Sequence, residues 1–464
     1  MNQAATLTPA ARRDLAYHLH PSTNLRQLQN EGPLVITRGE GVYVFDEHGK
    51  QYLEGMAGLW CASLGFSERR LADAAYRQMT ELPFYHSFAG KVPAIATELA
   101  EKLISIAPKG LTRTLFANSG SEANDTAVKL AWYYNNALGR PLKKKIIGRH
   151  KGYHGMTVAA ASVTGLAFVH GDFDLPRSRF LHAGCPHHYR FGKPGETEEQ
   201  FAERLAAELD EMITREGPDT VAAFFAEPVM GAGGVIVPPE TYFRRIQPVL
   251  RKHDVLFVVD EVICGFGRTG NMFGSQTFDL QPDILTCAKA LTAGYLPMSA
   301  TLVSEAIYEA LLAQSDKLGL FGHGYTYSSH PVPAAVALEA LKLYEERDIV
   351  SHVRRVGPRL QAGLRRLAEH PLVGEARGIG LIGALELVRD KSTRANFDSK
   401  AGVGALLVKR AQHHGAILRN MAGDVIAFSP PLIITEAEID ALLDRTARAL
   451  DDTLQSLRER GAAS

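Results

Sequence analysis

Two carboxylates and one lysine, each placed at the end of an apolar run, are the residues best suited to do chemistry. Asp260 and Glu261 directly follow five apolar residues at 255–259, and Lys289 ends a second apolar run. An apolar run of this length predicts a strand that is buried on both faces of a parallel sheet. A carboxylate just past such a strand lies where open α/β sheets bind their ligands. The spacing therefore predicts a buried acid and a lysine in one site.

The combination of acid and lysine favours pyridoxal phosphate (PLP) as the ligand. A carboxylate beside a pyridine nitrogen keeps that nitrogen protonated, because opposite charges a few ångströms apart stabilise each other. A protonated ring is the electron sink needed for a carbanion next to an imine. Burial of Lys289 among apolar residues favours the neutral amine that forms such an imine. Taken alone, however, Lys289 also fits an ordinary surface lysine.

A second acid, Glu227, ends another predicted strand at residues 221–226. Parallel strands bring their carboxyl ends to one edge of a sheet, so Glu227 and Asp260 are expected near each other. Asp260 is the better partner for a pyridine nitrogen, because the apolar run before it predicts deeper burial.

The segment Gly120-Ser121-Glu122-Ala123-Asn124 follows a predicted strand at 114–117 and opens a predicted helix at 122–137. Small residues at a helix N-terminus let backbone N–H groups approach an anion, and Ser121 adds a hydroxyl donor. The alternative is that Ser119 or Ser121 only caps the helix. Tyr153 lies between Gly152 and Gly155 after a predicted strand at 145–148, where it is either a ring that stacks on a flat ligand or part of an ordinary turn.

Residues 265–270 read Gly-Phe-Gly-Arg-Thr-Gly and match a dinucleotide-binding pattern. The context does not fit, because two carboxylates stand between the strand and the glycines and would repel a pyrophosphate. Residues 271–275 are also not expected to start a helix, which that pattern requires.

Composition describes an ordinary globular protein of 464 residues with 51 basic and 51 acidic side chains. The charge balance predicts neither nucleic acid nor a membrane surface as a partner. Four scattered cysteines and an N-terminus without signal-peptide features predict a reduced, cytoplasmic protein. Cys185-Pro186-His187-His188 has metal-ligand types but no matching second pair, so no metal is assigned.

Helices alternate with short apolar strands from about residue 68, which predicts an α/β fold with a mainly parallel sheet. Further strands are expected at 284–286 and 299–303, and helices at 71–82, 94–106 and 334–346. Near the N-terminus, residues 41–54 predict two strands joined by a turn. Near the C-terminus, residues 377–387 predict one alternating strand, with helices at 404–413 and 436–457, which together suggest a small α+β domain.

Together these residues resemble the class III (ω-) aminotransferases of PLP fold type I. The motifs that carry the resemblance follow the family's order and spacing: Asn118-Ser119-Gly120-Ser121-Glu122-Ala123, Gly152-Tyr153-His154-Gly155, Asp260-Glu261-Val262, the glycines of 265–270, and Lys289. The resemblance implies a large PLP-binding domain at 67–332 with a seven-stranded, mainly parallel sheet. It also implies a smaller α+β domain built from both termini, residues 1–66 and 333–464.

The resemblance implies a role for each catalytic and ring-side residue. Lys289 would bind the cofactor aldehyde covalently and move the proton, and Asp260 would pair with the pyridine nitrogen. Tyr153 and Val262 would pack on the two faces of the ring, and Glu227 would support the network beside it.

Phosphate binding and assembly are implied by the same resemblance. Gly120 and Ser121 would bind the phosphate, joined by Thr326 from a second subunit. The enzyme would therefore be a homodimer or a dimer of dimers with shared active sites.

Two features favour the branch of the family that uses pyruvate. Ala232 stands where ornithine- and γ-aminobutyrate-type enzymes that use 2-oxoglutarate commonly have a glutamate. Trp60, Phe88 and Arg419 match the pocket residues of the amine:pyruvate branch. Arg419 would bind the carboxylate of pyruvate or alanine and swing away for an apolar amine; its alternative is a surface ion pair.

The predicted reaction is a ping-pong transfer of the amino group of a primary amine or ω-amino acid to pyruvate, which gives alanine. The alternatives are transfer to 2-oxoglutarate, another class III PLP reaction such as an aminomutase or decarboxylase, a nicotinamide dehydrogenase based on residues 265–270, and a PLP-binding regulator that is not an enzyme.

Overall fold

The computed structural model describes residues 7–460, and its largest sheet joins seven strands. In spatial order they are Leu111–Ala117, Ser299–Ser304, Ile284–Cys287, Leu256–Asp260, Val221–Ala226, Lys145–Arg149 and Phe180–Ala183. Only Ser299–Ser304 runs against its neighbours; the pairings among the others are parallel. The predicted α/β class with a mainly parallel sheet is therefore confirmed.

The central strands of this sheet are apolar because helices cover both faces. Every residue of Val221–Ala226 and Leu256–Asp260 is buried, as expected for a parallel sheet between two helical layers. The carboxyl ends of five of the parallel strands lead into the segments that carry Ser121, Tyr153, Glu227, Asp260 and Lys289. The sheet thereby brings residues that are far apart in the sequence to one edge.

Two smaller sheets are formed by the ends of the chain. One contains Ile36–Glu40, Tyr43–Asp46, Gln51–Glu54 and Ala416–Ile417; the other contains Val373–Ile379, Ile382–Leu387, Val425–Phe428 and Arg419–Met421. In the first sheet Ala416–Ile417 pairs in parallel with Gln51–Glu54. This pairing ties the N-terminal strands to the C-terminal part of the chain.

Helices account for most of the remaining structure. The α-helices are Pro9–Tyr17, Leu25–Glu31, Arg69–Glu81, Ala94–Ile106, Gly120–Ala137, Val158–Val163, Ala167–His170, His188–Phe191, Glu198–Glu216, Tyr242–Lys252, Gly274–Thr277, Glu305–Leu318, Pro331–Glu346, Ile349–Leu367, Val403–His413 and Glu436–Glu459. The short segment Ala57–Trp60 is interrupted by non-helical backbone angles at Gly58 and Leu59 and forms a loop. Short 3-10 turns are Arg177–Arg179, Pro218–Thr220, Lys289–Thr292 and Ser399–Ala401. In residues 7–460, no helix combines the length and apolar character needed to cross a membrane.

One predicted strand proves to be part of a hairpin. Residues 377–387, expected to form a single strand, belong to a hairpin in which Val373–Ile379 and Ile382–Leu387 pair antiparallel. Gly380 reverses the chain with a φ of +55°, a conformation that glycine adopts without steric cost. Because alternation continues across so tight a turn, the pattern alone does not separate one long strand from a hairpin.

Candidate cofactor and substrate site

An inner cavity lies at the carboxyl edge of the large sheet. It is lined by Gly120, Ser121, Asn124, Tyr153, His154, Gly155, Glu227, Asp260, Val262, Ile263 and Lys289. Seven of the residues predicted to bind the cofactor are among them. Asn124, His154, Gly155 and Ile263 were not predicted, although the first three stand inside or next to motifs that the sequence pointed to.

Asp260 is held at the base of this cavity by three hydrogen bonds. Its Oδ2 accepts from Asn124 Nδ2 at 2.7 Å and faces His154 Nδ1 at 2.9 Å, and its Oδ1 accepts from Val262 N at 3.0 Å. Asn124 is in turn fixed by the Thr286 hydroxyl, which donates to its Oδ1 at 2.9 Å. These contacts on both oxygens fix the orientation of the carboxyl group, which lines the inner cavity.

The two serines of the predicted phosphate-binding motif have different roles. Ser119 is the N-cap of Gly120–Ala137, since its side chain accepts from Glu122 N at 3.2 Å. Ser121 lies in the cavity, where its Oγ accepts from Met156 N at 3.1 Å and keeps its O–H free to donate. The capping alternative therefore applies to Ser119 and not to Ser121.

Close approach explains the glycine that follows Tyr153. Gly155 has a φ of +133°, and a Cβ there would lie 2.5 Å from Ser121 Oγ. Any larger residue would push the serine hydroxyl out of place. The small residues in both motifs thus keep the N-terminal end of one helix open toward the cavity.

Glu227 acts on backbone groups around the cavity. Its Oε1 accepts from Tyr153 N at 3.0 Å and its Oε2 from Gly231 N at 2.9 Å. Burial raises the pKa of this carboxyl group, although the nearby His154 and Arg149 oppose the shift. Glu227 therefore positions Tyr153 and the segment that carries Ala232.

Lys289 begins a 3-10 turn directly after the strand Ile284–Cys287 and has a φ of +49°. A left-handed conformation is costly for a lysine and is most often found at functional sites. Burial lowers the pKa of its ammonium group, while the charges of Asp260 and Glu227 act in the opposite direction. Within residues 7–460 no hydrogen bond or ion pair occupies Nζ, so the amine is available for chemistry.

A larger cavity of about 890 Å³, which we call the outer cavity, adjoins the inner one. Trp60, Tyr153, Ala232, Lys289 and Arg419 line it, together with parts of the N-terminal segment and of residues 396–424. The Arg419 guanidinium carbon lies 5.1 Å from the centre of the Trp60 ring. Lys289 and Arg419 are the basic side chains among the described residues that line this cavity.

Phe88 and Thr326 line neither cavity in this chain. Both are exposed, and Phe88 packs against Gly324, where a Cβ would lie 3.1 Å from the Phe88 ring. We call the exposed surface around them the aromatic patch; its members are Phe84, Tyr85, Phe88, Thr326 and Tyr327.

The glycine-rich residues 265–270 form a structural loop. Arg268 within the loop is buried and donates to Leu381 O at 2.9 Å and to Pro430 O at 2.6 Å. Contrary to expectation, one helical turn, Gly274–Thr277, does begin shortly after it. The N-terminus of this turn is already occupied by a carboxylate, because Glu261 accepts from Gly274 N at 2.9 Å and from Ser275 Oγ at 2.6 Å.

His187 has buried surroundings that the sequence did not predict. Its Nε2 lies 2.8 Å from a carboxylate oxygen of Glu375, and Glu386 is also close. Arg377 donates to both glutamates, and Arg190 donates to Glu386. Because arginines already neutralise these carboxylates, the group serves as an ion-pair network between the segment after the large-sheet strand Phe180–Ala183 and the hairpin at 373–387.

The comparisons with known proteins agree with this geometry. The family model for class-III aminotransferases matches residues 26–450. The chain belongs to the class-III aminotransferase family. The predicted resemblance, the PLP fold type I architecture and the assignment as an aminotransferase are thereby confirmed, and this family uses PLP.

Individual relatives cover almost the whole chain. It is 50% identical over 442 residues to gamma aminobutyrate transaminase 1, mitochondrial, of Solanum lycopersicum, covering 95% of this chain and 86% of that protein. It is 54% identical to the omega transaminase of Pseudomonas jessenii in complex with PMP, with a TM-score of 0.96 and coverage of 98% and 100%. A thermostable omega transaminase variant engineered for synthesis of bulky amines matches at 55% identity and a TM-score of 0.95, covering 97% and 100%.

The donor set of the inner cavity fits the cofactor. A serine hydroxyl and open backbone N–H groups suit a phosphate, the buried carboxyl group of Asp260 suits a ring nitrogen, and a lysine amine without a partner in residues 7–460 suits an aldehyde. All three groups line the inner cavity, so the residues present fit the phosphate, the ring nitrogen and the aldehyde of PLP.

Proposed function

We propose that this aminotransferase is an ω-transaminase that moves the amino group of a primary amine or ω-amino acid to pyruvate, giving alanine. The observation that carries the choice of acceptor is the charge of the outer cavity. Beyond Lys289, Arg419 is the one basic side chain among its described lining residues. One guanidinium matches one carboxylate, which suits pyruvate better than the dicarboxylate 2-oxoglutarate.

Ala232 supports the same choice. A glutamate at this position would give Arg419 an alternative partner whenever the substrate has no second carboxylate. Alanine leaves the guanidinium to the substrate or to the Trp60 ring, against which it already lies. The relatives named gamma aminobutyrate transaminases support an ω-amino acid as one donor, and the variant named for bulky amines supports a roomy cavity.

PLP, when bound, supplies the electron sink that stabilises negative charge on the substrate carbon. We assign the surrounding tasks to residues of this chain. Asp260, oriented by Asn124 and His154, would pair with the ring nitrogen, and Lys289 would hold the aldehyde and carry protons as a neutral amine. Tyr153 and Val262 restrict the ring between them.

Phosphate binding completes the proposed cradle. The Ser121 hydroxyl would donate a hydrogen bond to the phosphate, and the small Gly120 would let the N-terminus of Gly120–Ala137 approach the phosphate. Glu227 keeps Tyr153 in place through its backbone N–H.

We further propose that the active enzyme is a homodimer in which the aromatic patch of one subunit meets the site of the other. This accounts for Phe88 and Thr326, which are expected to bind substrate and phosphate but are exposed on their own chain. Exposed aromatic clusters of this kind are typical of protein interfaces. Sedimentation should give at least a dimer, and Thr326→Val should weaken cofactor binding; a monomer that binds PLP fully would contradict the shared site.

Two further proposals concern the domain boundaries and the cellular location. We divide the chain at 1–66, 67–332 and 333–464, with both end segments forming the smaller domain. We also propose a cytoplasmic location, which four unpaired cysteines support, although several relatives are named mitochondrial or chloroplastic; labelling of the protein in its own cells tests this.

A panel of acceptors tests the central proposal. The purified enzyme is loaded with PLP and given a fixed ω-amino acid donor with pyruvate or 2-oxoglutarate, and alanine or glutamate is measured. We expect kcat/KM to be higher with pyruvate. Preference for 2-oxoglutarate would assign the alternative, and product without any keto acid would point to an aminomutase or a decarboxylase.

A further inference from the structure

Glu54 is a buried acid that the proposed chemistry does not use. Its side chain is 5% exposed, and no basic side chain in the described part of the chain forms an ion pair with it. Its Oε1 accepts from Met56 N at 2.8 Å, and the N–H of Gly58 lies within reach of the same carboxyl group. A buried carboxylate whose partners are backbone N–H groups shapes the backbone that donates to it.

The backbone held in this way is the Trp60 loop, which we define as residues 56–60. Three of its residues have left-handed conformations, with φ of +47° at Ala57, +69° at Gly58 and +59° at Trp60. Only one of these is a glycine, so the loop keeps this form at a cost in free energy. Interactions from outside the loop have to compensate for that cost.

This backbone carries the Trp60 ring, which belongs to an apolar cluster that includes Ile263 and Met421. The ring is buried, yet its Nε1 has no hydrogen-bond partner within residues 7–460. No side-chain hydrogen bond therefore fixes its orientation. Glu54 also lies opposite Ile417 in the strand pairing, and Gly55 N donates to Ile417 O at 2.9 Å, so the same residue stands where the Trp60 loop meets the strand leading to Arg419.

We propose that Glu54 is a positioning residue for the substrate cavity: its carboxylate holds the Trp60 loop in its strained form and so keeps the Trp60 ring against the Arg419 guanidinium. The inference rests on the proposed role of Trp60 and Arg419 in substrate binding. Without the carboxylate, the loop would relax, the ring would move, and the cavity would lose its fixed wall beside the guanidinium.

The chain offers a matched control in the same sheet. Asp46 is also a buried carboxylate, and its Oδ1 accepts from the backbone N–H groups of His48 and Lys50 at 2.9 Å. It holds a turn that does not line either cavity. Its Oδ2 also accepts from the Tyr52 hydroxyl at 2.8 Å. Asp46→Asn therefore reproduces the loss of a buried charge that binds backbone groups, without touching the Trp60 loop.

The first measurement uses fluorescence and does not depend on activity. The chain has two tryptophans, so in a Trp132→Phe background the emission reports on Trp60 alone. We expect acrylamide quenching of the loaded enzyme to increase about twofold or more in Glu54→Ala, and less in Glu54→Gln, because neutral acceptors form weaker hydrogen bonds than charged ones. Asp46→Asn should leave quenching unchanged.

The second measurement separates binding from turnover. Burial raises the pKa of Glu54 to about 7, so the assay is run at pH 8, where the carboxylate is mostly ionised. There the KM for pyruvate should rise about tenfold in Glu54→Ala and less in Glu54→Gln, while kcat changes little, since the charge-assisted hold on the loop is lost. Glu54→Gln keeps the shape of the side chain and decides the question if Glu54→Ala does not fold. Three outcomes would each overturn the proposal: unchanged quenching in the Glu54 variants, changes of the same size in Asp46→Asn, and altered quenching without a change in KM. If pyruvate proves not to be a substrate while the quenching result holds, the proposed acceptor fails and the role of Glu54 in holding the loop stands.

Discussion

The inner and outer cavities share Lys289 and Tyr153, but they are built in different ways. Every side of the inner cavity comes from the ends of strands in one sheet or from the segments directly after them. The outer cavity combines the Trp60 loop, Ala232, Arg419 and stretches from both ends of the chain. One is fixed by a single rigid scaffold, whereas the other depends on how distant segments pack.

This difference assigns different tasks to the two regions. The inner cavity holds polar groups that hydrogen bonds keep in place, above all Asp260 and Glu227, as a cofactor site that must stay organised requires. The outer cavity is mostly apolar around one guanidinium, which suits substrates that vary in shape. Changes in the inner cavity should therefore abolish chemistry, and changes in the outer cavity should redirect it.

The largest effect is expected at Lys289, one of the residues that line both cavities. Lys289→Ala removes the group that we propose both binds the aldehyde and carries the proton, so kcat should fall by at least ~10⁴-fold. The visible absorbance of the bound cofactor should also change. Lys143→Met is the matched control, because Lys143 is buried and binds the backbone oxygens of Pro218 and His253 far from the site. Equal activity of Lys289→Ala and the control would remove Lys289 from the mechanism.

The next effect distinguishes two adjacent carboxylates. Asp260→Asn should lower kcat by ~10²–10³-fold, because a neutral amide no longer stabilises a protonated ring nitrogen. Glu261→Gln, one residue further on, should keep most of the activity, since Glu261 faces the turn Gly274–Thr277 and not the cavity. Steady-state rates on both variants test this contrast, and a comparable loss in each would mean that the site needs both charges.

The same contrast explains how much the sequence could predict. Asp260 and Lys289 follow apolar runs, and a polar residue at the end of a buried parallel strand is expected in the ligand site, so the sequence predicts their place. Asn124 and His154, which orient Asp260, come from other segments and are found only in the folded structure. The hairpin at residues 373–387 was missed because its turn does not interrupt the alternation. The cavity wall at Trp60 depends on packing between segments more than 350 residues apart, such as Glu54 and Ile417, and no local pattern encodes that.

A smaller effect, confined to one class of substrate, is expected in the outer cavity. Arg419→Ala removes the proposed partner of the substrate carboxylate, so kcat/KM for pyruvate and alanine should fall by ~10–100-fold, as expected for loss of a charge-assisted hydrogen bond. The rate with an apolar amine such as 1-phenylethylamine should change far less in the amine half-reaction. Single-turnover measurements of each half-reaction separate the two. Equal losses on both would show that Arg419 supports the cavity as a whole and does not select carboxylates.

The smallest effect concerns stability and tests whether Glu261 is structural. Burial raises the pKa of this carboxyl group to about 7, from an ordinary value near 4.5. A raised pKa means that the folded state prefers the protonated acid, so the stability that Glu261 contributes is complete below pH ~4.5 and is lost as the pH rises through 7.

The comparison is made with Glu261→Gln, because glutamine does not titrate. The pKa of Glu54 is also raised to about 7, but Glu54 is present in both proteins, so its contribution to the pH dependence of stability cancels. Between pH 5 and 8 the wild type should therefore lose up to ~1–3 kcal/mol relative to Glu261→Gln, which thermal unfolding at several pH values would detect as a shift of a few degrees in the Tm difference. A Tm difference that stays constant across this range would mean that Glu261 is ionised in the folded protein and belongs with Asp260 as a charge of the site.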